Sequence, residues 1–142
     1  FNRALDKNGY PVIKPPWGSL TALDLNNGKI IWQVPFGEFD YLKKKGLSAT
    51  GTENFGGVTA TAGNIAIATG TLDKKLYVFD SQNGDILFSE ELPFIGSAPA
   101  STYLYENKQY IVLHSSGGRT LKQGYPHLVN DGNLLIAFKL KE

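Results

Sequence analysis

The chain of 142 residues contains no cysteine and no methionine. Without cysteine there can be no disulfide framework, no thiol nucleophile and no cysteine-based metal site. Because the sequence begins at Phe1 rather than at an initiating methionine, we expect it to be a fragment of a longer protein or a processed product. Any targeting segment would then lie upstream.

An excess of charge and long apolar runs are also absent. The formal net charge is +1, which gives no basis for a nucleic-acid-binding surface. The short basic run at residues 43–45 is most simply a solvated loop. No segment is apolar enough to cross a bilayer, so any membrane attachment is expected to depend on upstream sequence.

The signatures of several enzyme classes are missing. There is no phosphate-binding P-loop, no His-Glu-x-x-His motif and no Gly-x-Ser-x-Gly nucleophile elbow. His114 and His127 are not at metal-ligand spacing with any carboxylate. Asp40, Asp73 and Asp131 match no catalytic motif. We therefore assign no catalytic residue from these patterns, and we expect no metal ligand within this chain.

The most informative feature that is present is an internal repeat. Residues 22–32 read ALDLNNGKIIW and residues 78–88 read VFDSQNGDILF, at an offset of 56 positions, and a truncated copy, LIAFKL, spans residues 135–140. Each full copy predicts a strand, a turn and a second strand. The Asn-Gly pair favours a type I′ turn with positive φ at both central residues. Asp24 and Asp80 are predicted to cap backbone N–H groups of these turns.

Alternating apolar residues predict nine strands, and no window shows a helical period. The predicted strands span residues 20–25, 29–35, 58–61, 64–68, 76–80, 86–91, 100–105, 109–114 and 134–140. Four of them, which we label A to D, follow one another between Val58 and Glu91, and the pattern then begins again. Such repetition favours a β-propeller of four-stranded antiparallel blades over a β-sandwich. The predicted fold is therefore all-β, a partial β-propeller.

This pattern divides the chain into four predicted parts. Residues 1–36 end one blade, residues 37–57 form an inter-blade loop, residues 58–92 form a complete blade, and residues 93–142 form a last, incomplete blade. In a meander the B–C and D–A loops share one face. Two unusually long connections, the D–A loop and the B–C loop at residues 115–132, therefore lie on the same face, which we expect to be the functional one.

The repeat resembles the tryptophan-docking repeat of the pyrroloquinoline quinone (PQQ) dehydrogenases, Ala-x-Asp-x-x-x-Gly-x-x-x-Trp. The first copy matches it at Ala22, Asp24, Gly28 and Trp32. The second copy departs from it, with Val78 in place of alanine and Phe88 in place of tryptophan. A smaller ring must therefore dock there.

The resemblance extends to the C-terminal part of the membrane-bound glucose/quinate type. Further similar segments lie at residues 15–22, 51–57, 70–73 and 108–112. This resemblance implies an eight-bladed quinoprotein propeller, of which the chain holds two to three blades. It also implies PQQ with calcium or magnesium as cofactors, a sugar or polyol substrate and a quinone electron acceptor. The implied location is the periplasmic side of the bacterial inner membrane.

In that family an Asn-x-Gly-Gly segment lies beside the cofactor. The resemblance therefore makes Asn54, Phe55, Gly56 and Gly57 the expected cofactor-binding residues. The segment precedes the innermost strand of a blade. Glycine permits close approach of the backbone to a ligand, and asparagine can form hydrogen bonds with the carbonyl or carboxylate oxygens of that ligand. Taken without the resemblance, Gly56-Gly57 is more simply a bend between loop and strand.

The chain departs from the family near its end, where Gly117-Gly118-Arg119 replaces a frequent Gly-Gly-His. The resemblance places the catalytic aspartate and cation ligands mostly upstream, so this chain alone is expected to be inactive. The alternative function is a non-catalytic propeller of the same repeats that acts as an assembly scaffold. In either case the incomplete blades leave open sheet edges, through which the isolated chain is expected to self-associate.

Overall fold

The computed structural model describes residues 3–139, which form nine strands and two short helices. In chain order these are β1 Ser19–Asp24, β2 Lys29–Pro35, α1 Asp40–Lys44, β3 Val58–Ala60, β4 Ile65–Ala68, β5 Lys75–Asp80, β6 Ile86–Glu91, β7 Ser101–Tyr105, β8 Lys108–Ser115, α2 Arg119–Gly124 and β9 Leu134–Lys139. The helices lie inside the two long loops, where the sequence predicted none. Leu140, the last residue of the predicted final strand, lies outside the described residues.

Three antiparallel sheets account for all nine strands. The first pairs β1 with β2, the second runs β3-β4-β5-β6 and the third runs β7-β8-β9. Neighbours in sequence are therefore neighbours in space, which is the meander expected of propeller blades. The predicted all-β class and strand order are confirmed.

The two Asn-Gly hairpins share one turn structure, but the predicted type I′ turn is wrong. Positive φ occurs at Gly28 (69°) and Gly84 (81°) and not at the asparagine before either glycine. Each glycine N–H donates to the carbonyl oxygen of the aspartate four residues earlier, at 2.7 and 2.9 Å. The chain thus turns through a longer loop, and only its closing residue needs the left-handed conformation that glycine permits.

The aspartates explain this longer turn. Asp24 Oδ1 accepts the Asn26 N–H at 2.9 Å, and Asp80 Oδ1 accepts the Gln82 N–H at 2.8 Å. This confirms the predicted capping, in which an aspartate bonds its own backbone two residues on. A two-residue turn with positive φ at both positions does occur elsewhere, at residues 106–107 between β7 and β8.

The second sheet is packed on both of its faces. Ala66 and Ala68 of β4 belong to a cluster with the first sheet, whereas Ile65 and Ile67 face the third sheet. Alternate strand residues point to opposite faces, so small residues on one side leave room for rings there. The rings on that side are Phe36, Tyr77 and Phe79.

Trp32 joins the first sheet to the second. Its indole N–H donates to the carbonyl oxygen of Ser81 at 3.0 Å, within the turn of the second repeat copy. A Cβ atom at Gly84 would lie only 2.8 Å from the indole ring, so the ring packs directly on this glycine. The docking repeat predicts a Trp32 that is largely buried against the following blade; the contact with the following repeat is present, but the side chain is only partly buried. The corresponding Phe88 is 47% exposed.

Candidate functional site

The long loops meet on one face around a shared apolar cluster. The buried members of this cluster are Phe39, Leu72, Ile95, Leu121, Tyr125 and Val129. They come from the two long loops, from the β4–β5 connection and from the β6–β7 connection. All four connections are of the B–C or D–A kind, so the prediction that the long loops share a face is confirmed.

Aromatic side chains from distant segments pack around Phe39. Its ring meets Tyr10 edge-on at 5.2 Å and Trp17 at 5.5 Å, both from the segment before β1. On the other side it contacts Tyr125 at 6.0 Å, from the loop after α2. Edge-to-face rings stabilise such contacts beyond their buried area. The cluster therefore makes one packed unit of loops that are far apart in sequence.

The predicted cofactor segment lies beside the β4–β5 connection. Asn54 forms an isolated antiparallel bridge with Thr71, and the Phe55 N–H donates to the Gly70 carbonyl oxygen at 3.2 Å. The ring of Phe55 is 47% exposed. The Asn54 side-chain amide is partly buried and donates a long hydrogen bond, 3.4 Å, to the Thr52 carbonyl oxygen. That single long contact leaves hydrogen-bonding capacity for another group.

The two glycines of this segment lie close to protein atoms. A Cβ at Gly56 would lie 2.0 Å from the Thr69 carbonyl oxygen, and one at Gly57 would lie 2.3 Å from the Pro99 ring. Any larger residue would push the segment away from the sheet. Packing therefore explains the need for glycine at both positions. The side chains that the segment offers to a ligand are those of Asn54 and Phe55.

Four buried threonines underlie this face. Thr50, Thr52, Thr69 and Thr71 are each at most 1% exposed. The hydroxyl oxygens of Thr50 and Thr52 accept the N–H groups of Phe39 and Leu72, at 3.3 and 3.1 Å. The Thr69 hydroxyl donates to the Gly96 carbonyl oxygen at 2.9 Å. Buried polar groups need such partners, so these bonds fix the relative positions of the connections.

Asp73 is a buried charged residue on this face, 7% exposed. Its carboxylate accepts the Thr71 hydroxyl at 2.5 Å, the Glu38 N–H at 3.0 Å and the Tyr77 hydroxyl. Burial, together with the negative charge of Asp73, raises the pKa of Tyr77 well above its ordinary value, so Tyr77 remains a donor. No local motif marks Asp73 in the sequence, because its contact with Glu38 spans 35 residues.

Glu38 connects two parts of the long loop. Its carboxylate accepts the Ala49 N–H at 3.2 Å and forms an ion pair with Lys43. Partial burial opposes ionisation, but the hydrogen bonds from Lys43 and Ala49 outweigh it and lower the pKa of Glu38 below 4.5. The carboxylate is therefore ionised at neutral pH, and it links Lys43 of α1 to Ala49, in the part of the loop that follows the helix.

The segment before β1 is tied to the same face by an ion pair. Arg3 donates two hydrogen bonds to Glu53, from Nε to Oε2 at 2.6 Å and from Nη2 to Oε1 at 2.8 Å, and it also donates to the Thr120 carbonyl oxygen at 3.0 Å. The hydrogen bond with Glu53 raises the pKa of Arg3. A two-pronged pair of this kind fixes orientation as well as distance. Glu53 directly precedes Asn54, so this contact also limits movement of the predicted cofactor segment.

A cavity of about 450 Å³ opens on this face between the segment before β1, α1 and the loop after α2. Its lining includes Tyr10, Asp40, Asp73, Tyr125 and His127, and no residue of the Asn54–Gly57 segment. The predicted cofactor segment therefore does not line this cavity.

The other polar residues considered from the sequence have separate places. His114 bonds Asn133 at 2.8 Å, Asp131 pairs with Lys122, and Arg119 is exposed at the start of α2. Within residues 3–139, no group of three His, Asp or Glu side chains is arranged to hold a metal ion. Neither helix in that range has the length and hydropathy needed to span a membrane.

Comparison with known proteins supplies the context for this geometry. Residues 1–111 match the family model described as PQQ, glucose/ethanol/alcohol dehydrogenase, β-propeller domain. The quinate/shikimate dehydrogenase (quinone) of Acinetobacter baylyi is 33% identical over 99% of this chain and 17% of its own length. The quinoprotein glucose dehydrogenase of Escherichia coli K12 is 31% identical over 82% of this chain and 15% of its own. The chain thus spans less than a fifth of these relatives.

Solved structures agree on the fold. A quinohemoprotein alcohol dehydrogenase of Pseudomonas putida HK5 superimposes with a TM-score of 0.69 and 20% identity. The superposition covers 87% of this chain and 16% of that one. The three sheets therefore have the arrangement of part of a propeller, as the repeat predicted.

Proposed function

Because the chain belongs to the family of PQQ-dependent glucose/ethanol/alcohol dehydrogenase β-propellers, we propose that it is part of an enzyme that oxidises a sugar or polyol. Relatives named for quinate/shikimate, glucose and glycerol support this substrate class. We propose a quinone as electron acceptor and the periplasmic side of the inner membrane as the location. When bound, PQQ supplies the redox chemistry, and the protein binds and orients it. Calcium or magnesium would be held outside this chain.

The proposed cofactor contacts are those of the segment Asn54–Gly57. Asn54 has an amide with unused hydrogen-bonding capacity, and Phe55 has a half-exposed ring next to it. An amide suits the carbonyl and carboxylate oxygens of PQQ, and a flat ring suits its planar ring system. Gly56 and Gly57 contribute by letting the segment close onto the sheet. The single observation that supports the assignment most is the bridge between Asn54 and Thr71 of the β4–β5 connection, shortly before the A strand β3 begins.

The proposed division into blades follows the three sheets. Residues 1–36 would end one blade, 37–57 link it to the next, 58–92 form a complete blade and 93–142 form an incomplete one. Under this division the candidate segment ends the link and lies directly before β3. An A strand is the innermost of its blade, so the segment would lie near the propeller axis, where a central cofactor can be reached.

The experiment uses the full-length protein with calcium or magnesium present. PQQ is titrated into the apo-protein, and dye-linked oxidation of glucose, quinate and glycerol is then measured. We expect saturable PQQ binding and activity on at least one of these substrates. In Asn54→Ala the apparent Kd for PQQ should rise about tenfold, as expected for loss of a hydrogen bond to a charged group, with little change in melting temperature. A full-length protein that binds no PQQ would favour the scaffold function.

A further inference from the structure

We propose that Asp73 is a positioning residue for PQQ binding, which holds the Asn54–Phe55 segment in place without contacting the cofactor; this rests on the proposed function. The starting observation is that one buried carboxylate connects two parts of the loop face with the sheet beneath them. The two parts are the start of the long loop and the β4–β5 connection, and the contact with the sheet is to strand β5.

The first connection runs to the start of the long loop. Asp73 Oδ2 accepts the Glu38 N–H at 3.0 Å. Glu38 in turn accepts the Ala49 N–H at 3.2 Å, so the two arms of the loop are held together near its base. Through Glu38, the carboxylate of Asp73 therefore anchors the long loop at residues 37–57.

The second connection runs to the candidate segment. Asp73 Oδ1 accepts the Thr71 hydroxyl at 2.5 Å, and Thr71 is the residue that pairs with Asn54. Next to it, the Phe55 N–H donates to the Gly70 carbonyl oxygen at 3.2 Å. The conformation of residues 70–73 thus determines where Asn54 and Phe55 lie. Asp73 sets that conformation through its bond to Thr71.

The third connection fixes the carboxylate itself. The Tyr77 hydroxyl donates to Asp73 Oδ2, and the Tyr77 ring packs against Phe36 at 5.6 Å and Phe79 at 5.8 Å within the sheet core. Tyr77 is 6% exposed, so its hydroxyl has a fixed position. The rigid sheet thereby determines the position of Asp73, and Asp73 passes this position on to the loops.

The test compares Asp73→Ala with a matched control, Ser115→Ala, in the full-length protein. Ser115 is also fully buried on this face, where its hydroxyl donates to the Phe94 carbonyl oxygen at 2.7 Å and accepts the Phe94 N–H at 3.1 Å. It supports the β6–β7 connection rather than the long loop. Both variants should lose thermal stability. Only Asp73→Ala should also weaken PQQ binding, by about tenfold or more, the equivalent of a lost charge-assisted hydrogen bond.

Two further measurements separate positioning from general destabilisation. In the apo-protein, amide hydrogen exchange at residues 52 and 55 should accelerate in Asp73→Ala and not in Ser115→Ala. Asp73→Asn should restore most of the PQQ affinity, because the amide oxygen still accepts the Glu38 N–H and the Thr71 hydroxyl can rotate to accept from the amide nitrogen. If Asp73→Ala does not fold, Thr71→Val cuts the connection to the segment alone and should show the same selective loss.

Equal PQQ affinity in Asp73→Ala and Ser115→Ala, with unchanged exchange at residues 52 and 55, would overturn the proposal. If Asp73→Ala does not fold, unchanged PQQ affinity and exchange in Thr71→Val would overturn it equally. A wild-type protein that binds no PQQ would instead refute the proposed function and, with it, a role in PQQ binding. The exchange comparison would still show whether Asp73 holds the loop.

Discussion

The sheets and the loop face of this molecule are held together by different interactions. Between the second and third sheets the contacts are apolar, with Ile67, Leu76 and Leu113 each at most 1% exposed. On the loop face an apolar cluster is combined with buried threonines and the carboxylate of Asp73. Apolar packing is non-directional and tolerates changes of similar volume, whereas hydrogen bonds specify direction. The sheets therefore provide stability, and the loop face provides accurate positioning.

The largest effect should come from opening the core between the sheets. Phe79 is 1% exposed and packs against Phe36 and Tyr77. Phe79→Ala in the full-length protein should lower the free energy of unfolding by about 3–5 kcal/mol, as for other large-to-small core changes. Denaturant unfolding measures this directly. The control Leu25→Ala, at a residue 92% exposed in the first turn, should stay within about 0.5 kcal/mol. Equal effects would contradict the assignment of the core.

The strands could be predicted because their cause is local. A short apolar run such as Ile65–Ala68, bounded by turn residues, is typical of a strand that is buried on both faces. The hairpin turns were predicted in place but not in type, because the capping aspartates at 24 and 80 draw the chain into a longer loop. The helices α1 and α2 span five and six residues, too few for a visible period.

The loop face was predicted only as a location. Its face followed from strand order, but its contacts join residues such as Arg3 and Glu53 or Glu38 and Asp73, which are 50 and 35 positions apart. No spacing rule connects such pairs. The threonines at positions 50, 52, 69 and 71 are visible in the sequence, but nothing there marks them as buried. Threonine is usually exposed and is common in strands. The three-dimensional arrangement was needed to give them partners.

The next effect concerns the contact between the first two sheets. Trp32→Ala should cost about 3 kcal/mol, at the lower end for large aromatic residues because the ring is only partly buried. Trp32→Phe imitates the second repeat copy. It should keep packing against Gly84 but lose the hydrogen bond to Ser81, at a cost of about 1 kcal/mol. If both variants melt like the wild type, Trp32 has no docking role.

A smaller and local effect is expected on the loop face. Thr52→Val removes the acceptor of the Leu72 N–H with little change in volume, and an unpaired buried group costs about 1–3 kcal/mol. Amide exchange at Leu72 should accelerate, while exchange in β4 stays unchanged. The control Thr102→Val lies at an exposed strand position and should be neutral. Uniform acceleration throughout the second sheet would show that the two regions are not separately stabilised.

The smallest effect is a pH dependence confined to the long loop. The pKa of Glu38 is lowered in the folded state, so its contribution is complete above about pH 4.5 and is lost as pH falls through the folded value. Below pH 4.5, proteolysis within residues 40–49 should become faster relative to the sheets. In Glu38→Gln the rate of cleavage within residues 40–49, relative to that in the sheets, should stay nearly constant over this pH range. If the relative cleavage rate of the wild type changed as little with pH as that of Glu38→Gln, the contacts of Glu38 would not stabilise the loop.

The most direct test is hydrogen exchange on the full-length protein with and without PQQ. If the Asn54–Phe55 segment contacts the cofactor, bound PQQ should slow exchange at residues 52–57 and 70–73. The sheet core at β4 and β5, which is already protected by packing, should not change. Bound PQQ without any slowing at residues 52–57 would contradict the assignment of this segment to the cofactor.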